Sequence, residues 1–120
     1  MKKVFFMFLF GAISLFANEE LNMDNFEEKI KGKNVIVDFY APWCPPCKII
    51  AKNLEDFEIS KPDNVQIYKV NVDDELALAK KYGVSKLSTI IYFKNGKVMK
   101  DYVGILSSEE LSKAAKENFK

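Results

Sequence analysis

Histidine and arginine are absent from this sequence of 120 residues, and cysteine and glycine are scarce. Without histidine, the chain cannot use a histidine triad, imidazole acid–base catalysis or a histidine metal site. All 18 basic residues are lysines, so no arginine fork can clamp a phosphate or a carboxylate. The five glycines are too far apart for a phosphate-binding loop, and two cysteines cannot supply a four-ligand zinc site. We therefore expect no resident metal.

The overall composition is that of an ordinary soluble domain. Hydrophobic residues make up 48% of the chain and charged residues 29%, which is typical of one globular unit with a single core. The formal net charge is +1, and without residues 1–17 it becomes −1, since 16 lysines then face 17 acidic residues. A domain of this charge has no electrostatic footprint for nucleic acid, so we expect no nucleic-acid partner.

The N-terminal segment has the pattern of a signal peptide. Lys2 and Lys3 precede an apolar run of 14 residues that ends at Ala17, a small residue suited to cleavage. This run is shorter than the about 20 residues that a membrane-spanning helix needs. We predict a signal peptide over 1–17, a domain over 18–120 and a periplasmic or secreted location. The alternative is an uncleaved membrane anchor.

Hydrophobic periodicity after this segment predicts alternating helices and strands. Strands are expected over 35–40, 65–72, 89–93 and 97–103, with a weak additional strand near 20–22. Helices are expected over 24–32, 45–60, 73–83 and from 107 onwards. Helical crossovers imply parallel strand pairs, and Asn95-Gly96 predicts an antiparallel hairpin. The predicted fold is α/β: a three-layer α/β/α sandwich around a mixed sheet with an antiparallel C-terminal hairpin.

Particular residues are expected to begin and orient these helices. Asp24 with Glu27 has the pattern of an N-cap and capping box, and Ser107 has the pattern of the last N-cap. Asp73 or Asp74 is expected to cap the third helix. In the second helix the predicted inward residues are Ile49, Ile50, Leu54 and Phe57, and in the last helix they are Leu111, Ala114, Ala115 and Phe119.

Cys44 and Cys47 lie where a predicted buried strand turns into a helix. A disulfide between residues only three apart closes so small a loop that it stabilises a fold little, which favours a chemical role. At the helix N-terminus, free N–H groups and the helix dipole would stabilise a Cys44 thiolate. Cys47, one turn inward, could then resolve a mixed disulfide. A structural bridge or a metal-binding pair is the alternative.

The chain resembles the thioredoxin family in several segments that arrive in that family's order. They are residues 37–48 (VDFYAPWCPPCK), 69–73 (KVNVD), 81–84 (KYGV), 92–97 (YFKNGK) and 103–104 (VG). The resemblance implies the thioredoxin fold and thiol–disulfide exchange through a redox-active Cys44–Cys47 disulfide. It implies no organic cofactor, and partners that are protein thiols and disulfides.

Asp38 and Lys69 are the predicted acid–base residues. Asp38 lies within an apolar strand, where burial should raise the pKa of its carboxyl and suit it to accept a proton from Cys47. The family assigns this role to the matching residue, and Lys69 resembles its usual charge partner on the adjacent strand. The alternative is a carboxylate that local hydrogen bonds satisfy.

The resemblance also implies a substrate-binding surface around the cysteines. Its predicted residues are Trp43, Pro45, Pro46, Leu87, Ser88, Thr89, Gly104 and Ile105. Trp43 could instead fill the core, and Gly104 could be a simple turn residue. Pro45-Pro46 replaces the family's usual Gly-Pro, and Ser88 stands where the family has a cis-proline. Because a cis bond before a residue other than proline costs about 2.5–4 kcal/mol, we expect the Leu87–Ser88 bond to be trans unless the surrounding fold imposes cis at that cost.

These observations predict an exported, monomeric thioredoxin-like reductant of protein disulfides. Its electrons would come from a membrane thiol donor, because cytoplasmic nicotinamide-dependent reductases cannot reach an exported protein. An oxidase, an isomerase or a thiol reductase for cytochrome maturation would use the same residues. A different alternative is a binding protein in which Cys44 and Cys47 of two chains hold a metal or an iron–sulfur cluster.

Overall fold

Five strands and four helices form residues 19–120, the part of the chain that the computed structural model describes. The predicted signal peptide over 1–17 lies outside the described residues. In chain order the elements are β1 (Glu19–Glu20), α1 (Phe26–Ile30), β2 (Asn34–Tyr40), α2 (Pro45–Ser60), β3 (Val65–Asn71), α3 (Leu76–Lys81), β4 (Thr89–Lys94), β5 (Lys97–Val103) and α4 (Ser108–Asn118).

The strands form one mixed sheet in the order β1-β3-β2-β4-β5. β3 pairs in parallel with both β1 and β2, whereas β4 pairs antiparallel with β2 and β5. β2 therefore lies at the centre, which explains why its residues 35–39 are all buried. The predicted mixed sheet and its C-terminal hairpin are confirmed.

Helices cover both faces of this sheet. On one face, Phe26 of α1 and Leu78 of α3 pack into a cluster with Val37 and Phe93 of the sheet. On the other face, the buried sides of α2 and α4 pack over Ile36 of β2 and over Ile90 and Tyr92 of β4, in a second cluster that also includes Leu54 and Leu111. The two clusters make the three layers of the predicted α/β/α sandwich.

The hairpin between β4 and β5 turns at the predicted pair. Asn95 and Gly96 both have positive φ, 52° and 80°, as a tight turn between antiparallel strands requires. β5 is the exposed edge of the sheet, and its pairing with β4 is interrupted by a register shift at Tyr92 and Phe93. Irregular pairing and lysines along such an edge discourage pairing with another strand.

The helix caps follow the sequence prediction in part. The capping box of α4 is present: the Ser107 hydroxyl accepts the N–H of Glu110, and the Glu110 carboxylate accepts the N–H of Ser107. The predicted box at Asp24 and Glu27 is wrong, because α1 begins at Phe26. The Asn22 side chain accepts the N–H groups of the turn before α1 instead.

Two further local predictions are wrong. Neither Asp73 nor Asp74 caps α3, because the chain makes a turn after β3 and the N-cap is Glu75. Ile49 is 51% exposed, because α2 turns Cys47, Ile50, Leu54 and Phe57 inward and neighbouring helical residues point about 100° apart.

No helix among residues 19–120 combines the length and the apolar character needed to cross a membrane.

Candidate active site

The centre of the site is a disulfide between Cys44 and Cys47 at the start of α2. Cys44 is the N-cap, and its Sγ accepts the N–H of Cys47 at 3.3 Å. Pro45 and Pro46 occupy the first two helical positions, where the missing N–H of proline breaks no helical hydrogen bond. Both cysteines are 3% exposed in the disulfide state, so burial does not distinguish them. Their position on the helix does, since Cys44 is the N-cap residue and Cys47 lies inside the first turn.

Asp38 is buried in the middle of β2, with 1% of its surface exposed. Neither carboxyl oxygen has a hydrogen-bond partner among the described residues. Loss of solvation raises the pKa of this carboxyl from its ordinary value of 3.8 to about 7, against a smaller lowering by the positive charge of Lys69. The alternative of a carboxylate satisfied by local hydrogen bonds is therefore wrong. Near neutral pH, Asp38 can take up and release a proton.

Lys69 stands beside Asp38 on the neighbouring strand, since their Cα positions are partners in the β2–β3 register. Its ammonium lies 4.9 Å from the centroid of the Tyr40 ring and makes no direct ion pair with Asp38. Lys69 thus acts on the carboxylate as a nearby charge rather than as a hydrogen-bond donor.

A pocket of about 240 Å³ joins Asp38 and Lys69 to Cys47. Its lining residues come from β2, the following loop, α2 and β3: Asp38, Tyr40, Ala41, Pro42, Cys47, Lys48, Ala51 and Lys69. Cys47 and Asp38 therefore face a common space that can admit water. Cys44 does not line this pocket, so the pocket distinguishes the two sulfurs where burial does not.

Trp43 projects from the loop before Cys44 and is 67% exposed, so it does not fill the core. Its indole N–H donates to the Asp73 carboxylate at 2.9 Å, which fixes the ring beside the disulfide. Sequence reasoning placed Asp73 only as a helix cap. Its position at the end of the segment 69–73, directly after β3, was the signal for a role at this edge of the sheet.

The segments 87–89 and 104–105 lie together. The Gly104 N–H donates to the Ser88 carbonyl at 3.0 Å, and Gly104 has φ +106°, a conformation that side chains rarely adopt. Leu87 packs against the apolar cluster that contains both cysteines. Ser88 and Thr89 are buried, whereas Ile105 is 46% exposed.

The peptide bond between Leu87 and Ser88 is cis, so the expected trans bond is wrong. β4 pairs with both of its neighbours from Thr89 onwards, and the Ser88 carbonyl is bound to Gly104. The Ser88 hydroxyl is buried without a hydrogen-bond partner among the described residues.

Tyr40 is a pocket residue that sequence reasoning did not select. It lies two positions after Asp38 in β2, and side chains two apart in a strand share a face, which was the available signal. Its hydroxyl donates to the Glu20 carboxylate at 2.7 Å.

No group of three or more acidic or cysteine side chains among residues 19–120 is arranged to hold a metal ion.

Comparison with solved structures supports the fold. Chloroplastic thioredoxin z, whose crystal structure is described as defining a type-specific target recognition, superposes with a TM-score of 0.76. The match covers 85% of this chain and 94% of that protein at 23% sequence identity, so it bears on the fold alone. A thioredoxin fold with paired cysteines at a helix N-terminus is the arrangement of a thiol–disulfide oxidoreductase.

Sequence comparison identifies the family. The thioredoxin family model matches residues 17–117. The thioredoxin of Chlamydia caviae is 41% identical over 91 residues, 76% of this chain and 88% of that protein. The thioredoxin of Alicyclobacillus acidocaldarius is 39% identical over 88 residues, 72% of this chain and 84% of that protein. The chain belongs to the thioredoxin family and is a protein disulfide oxidoreductase that acts on protein disulfides.

Proposed function

We propose that this protein is an exported thioredoxin that reduces protein disulfides, with Cys44 as nucleophile, Cys47 as resolving thiol and Asp38 as proton acceptor. The observation that carries the assignment of roles is the pocket that Cys47 and Asp38 share at the N-terminal end of α2. Cys47 shares the pocket with the buried Asp38 carboxyl, whereas Cys44 is the N-cap of α2. The two sulfurs therefore differ in their chemistry.

The first step uses the reduced protein. The Cys44 thiolate attacks one sulfur of a substrate disulfide, and the substrate S–S bond breaks as the mixed disulfide forms. The second substrate sulfur leaves as a thiolate and takes a proton from water. The N-terminal end of α2 favours the attacking thiolate, because the Cys47 N–H donates to the Cys44 Sγ and the helix dipole stabilises negative charge there.

The second step resolves the mixed disulfide. The Cys47 thiol gives its proton to the Asp38 carboxylate, and the resulting thiolate attacks the Cys44 sulfur. The mixed disulfide breaks, the substrate leaves as a second thiolate, and the Cys44–Cys47 disulfide forms. Two electrons have then passed from the protein to the substrate. A carboxyl with a pKa of about 7 is suited to this transfer, because it is readily ionised before the step and readily protonated after it.

The substrate would dock on the surface around Cys44. Trp43 and Ile105 both expose apolar surface, and Pro45 and Pro46 directly follow Cys44 at the start of α2. The segment 87–89, held against Gly104, supplies backbone beside a bound chain. An extended substrate segment could use this backbone for hydrogen bonds, which would explain recognition of many different sequences.

Export is proposed from Lys2, Lys3 and the apolar run over 4–17. An exported reductant needs its disulfide reduced again, and a membrane thiol donor is the class of partner that can deliver electrons there. The domain is proposed to act as a monomer, because the register shift and the lysines Lys97 and Lys100 along β5 oppose pairing of that edge with a second copy.

The direction of electron flow is tested with residues 18–120 and the matched variant Cys44→Ser. We expect the wild-type domain to catalyse reduction of insulin disulfides by dithiothreitol, and Cys44→Ser to be inactive. The potential of the cysteine pair, measured by equilibration with dithiothreitol, should lie near the about −270 mV typical of thioredoxins. A potential near the about −120 mV of strong periplasmic oxidants would assign an oxidase function instead.

The location is tested by fractionation of bacteria that express the full chain or residues 18–120 alone. We expect the full chain to yield a shortened protein in the periplasmic fraction and the shorter chain to remain in the cytoplasm. Recovery of the uncut full chain in the membrane fraction would favour an anchor, and recovery in the cytoplasm would refute export.

A further inference from the structure

We propose that Tyr40 is a positioning residue: its ring holds the Lys69 ammonium in the pocket beside Asp38, and Glu20 holds the ring. This inference rests on the proposed role of Asp38 in proton transfer, and it adds a residue whose contribution passes through Lys69. Tyr40 touches neither sulfur directly in this assignment.

The strand register brings the four residues together. Glu20 of β1 is the partner of Lys69 in β3, and Lys69 is the partner of Asp38 in β2. Partners in a parallel pair point to the same face of the sheet, and Tyr40, two residues after Asp38, shares that face. In this register an acidic residue stands on each side of Lys69, and Tyr40 lies two positions further along β2 from Asp38.

The contacts of Tyr40 account for where the ammonium lies. The Lys69 Nζ is 4.9 Å from the ring centroid, within the range in which a cation is attracted to an aromatic face. The Tyr40 hydroxyl donates to Glu20 at 2.7 Å, which restrains the ring from its other end. Lysine has a long flexible stem and a strongly hydrated head, so without the ring its ammonium would extend towards water.

The charges that face Asp38 make this position matter. Lys69 approaches from β3, Lys48 and Cys47 line the same pocket from α2, and Tyr40 faces it from β2. Glu20, which accepts the Tyr40 hydroxyl, and Asp74 are further negative charges that act on Tyr40. Lys69 lowers the pKa of Asp38 against the effect of burial. If the Lys69 ammonium were released from the Tyr40 ring, it would lower the pKa of Asp38 less.

The test is an NMR titration of the Asp38 carboxyl carbon in the disulfide form, which requires no turnover. We expect Tyr40→Leu to raise the midpoint by about half to one pH unit, less than the about one to three by which a full neighbouring charge shifts a carboxyl, because the ammonium is displaced rather than removed. Tyr40→Phe keeps the ring and should shift the midpoint less. In a Lys69→Met background, Tyr40→Leu should produce no further shift, because the charge that the ring positions has been removed.

The same variants should change the pH profile of insulin reduction. A midpoint higher by half to one pH unit lowers the ionised fraction of Asp38 at pH 7 about two- to fivefold, with a corresponding loss of rate. If Tyr40→Leu does not fold, Tyr40→Met carries the same test. An unchanged midpoint, or an equal shift in the Lys69→Met background, would overturn the inference.

Failure of the inference is distinguishable from failure of the proposed function. If Asp38→Asn leaves the pH profile of exchange unchanged, then Asp38 is not the proton acceptor, and the proposal for Tyr40 falls with it. If Asp38→Asn removes the pH dependence while Tyr40→Leu leaves the titration midpoint in place, only the role of Tyr40 is refuted.

Discussion

Replacement of Asp38 by asparagine should stabilise the protein, and the gain should depend on pH. Asparagine has nearly the same shape, but it removes a buried carboxyl whose oxygens have no hydrogen-bond partner among the described residues. Below the ordinary pKa of 3.8 the carboxyl is protonated in both the folded and the unfolded chain, so its charge costs nothing. As the pH rises towards the folded value of about 7, the unfolded chain ionises first and folding becomes less favourable.

The size of the effect follows from the two pKa values. The interval from 3.8 to about 7, at about 1.4 kcal/mol per pH unit, corresponds to about 4 kcal/mol once the pH exceeds 7. At pH 5 the same relation gives about 2 kcal/mol. Relaxation of the protein and water in the adjoining pocket reduce this penalty. We therefore expect the stabilisation by Asp38→Asn, measured as the increase in the free energy of unfolding over the wild type, to be larger at pH 8 than at pH 4 by at least about 2 kcal/mol.

The measurement is urea unfolding of the disulfide forms of the wild type and Asp38→Asn at pH 4, 5, 6, 7 and 8. Every other titrating group is common to both proteins, so it cancels in the difference between their free energies of unfolding. Glu55→Gln, a change at an exposed carboxylate of α2, is the matched control and should show no such trend. If the difference in free energy of unfolding between the wild type and Asp38→Asn stays constant from pH 4 to 8, then burial does not penalise the charge of Asp38, and the reasoning is refuted.

Three further predictions concern the cysteines, Trp43 and the last helix. Cys47→Ser should accumulate mixed disulfides with substrate proteins, and Cys44→Ser should not; non-reducing gels detect the difference. If iodoacetamide modifies Cys47 of the reduced wild-type protein before Cys44, the roles of the two cysteines are reversed. Asp73→Ala should change the emission of the single tryptophan and raise the KM for insulin, because the Trp43 N–H loses its acceptor, while the free energy of unfolding changes by less than about 0.5 kcal/mol. An unaltered spectrum would show that the bond does not orient the ring. Ser107→Ala should cost about 1 kcal/mol in urea unfolding through loss of the α4 capping box, and Ser108→Ala, one residue further on, is the control that should cost less.

Local sequence patterns predicted much of the fold and the centre of the site. The apolar run of β2, the alternation in β3 and the Asn95-Gly96 turn each correspond to an element of the structure. Cys44 lies at the start of α2 because proline is well suited to the first helical positions. Such features depend on neighbours a few residues away, so periodicity and turn chemistry can reveal them. The two capping predictions that failed, at Asp24 and at Asp73 or Asp74, show that several polar residues in a row leave the choice of cap open.

By itself, the sequence determined that a cysteine pair stands between a buried strand and a helix, with an acidic residue inside that strand. Only the tertiary structure decided which distant groups surround this pair. The placement of β3 between β1 and β2 aligns Glu20, Lys69 and Asp38, and the end of β3 brings Asp73 to Trp43. The hydrogen bond from Gly104 to Ser88 likewise accompanies the pairing of β4 with both neighbours. Strand order and register join residues far apart in the chain, and no local pattern of side chains encodes those distances.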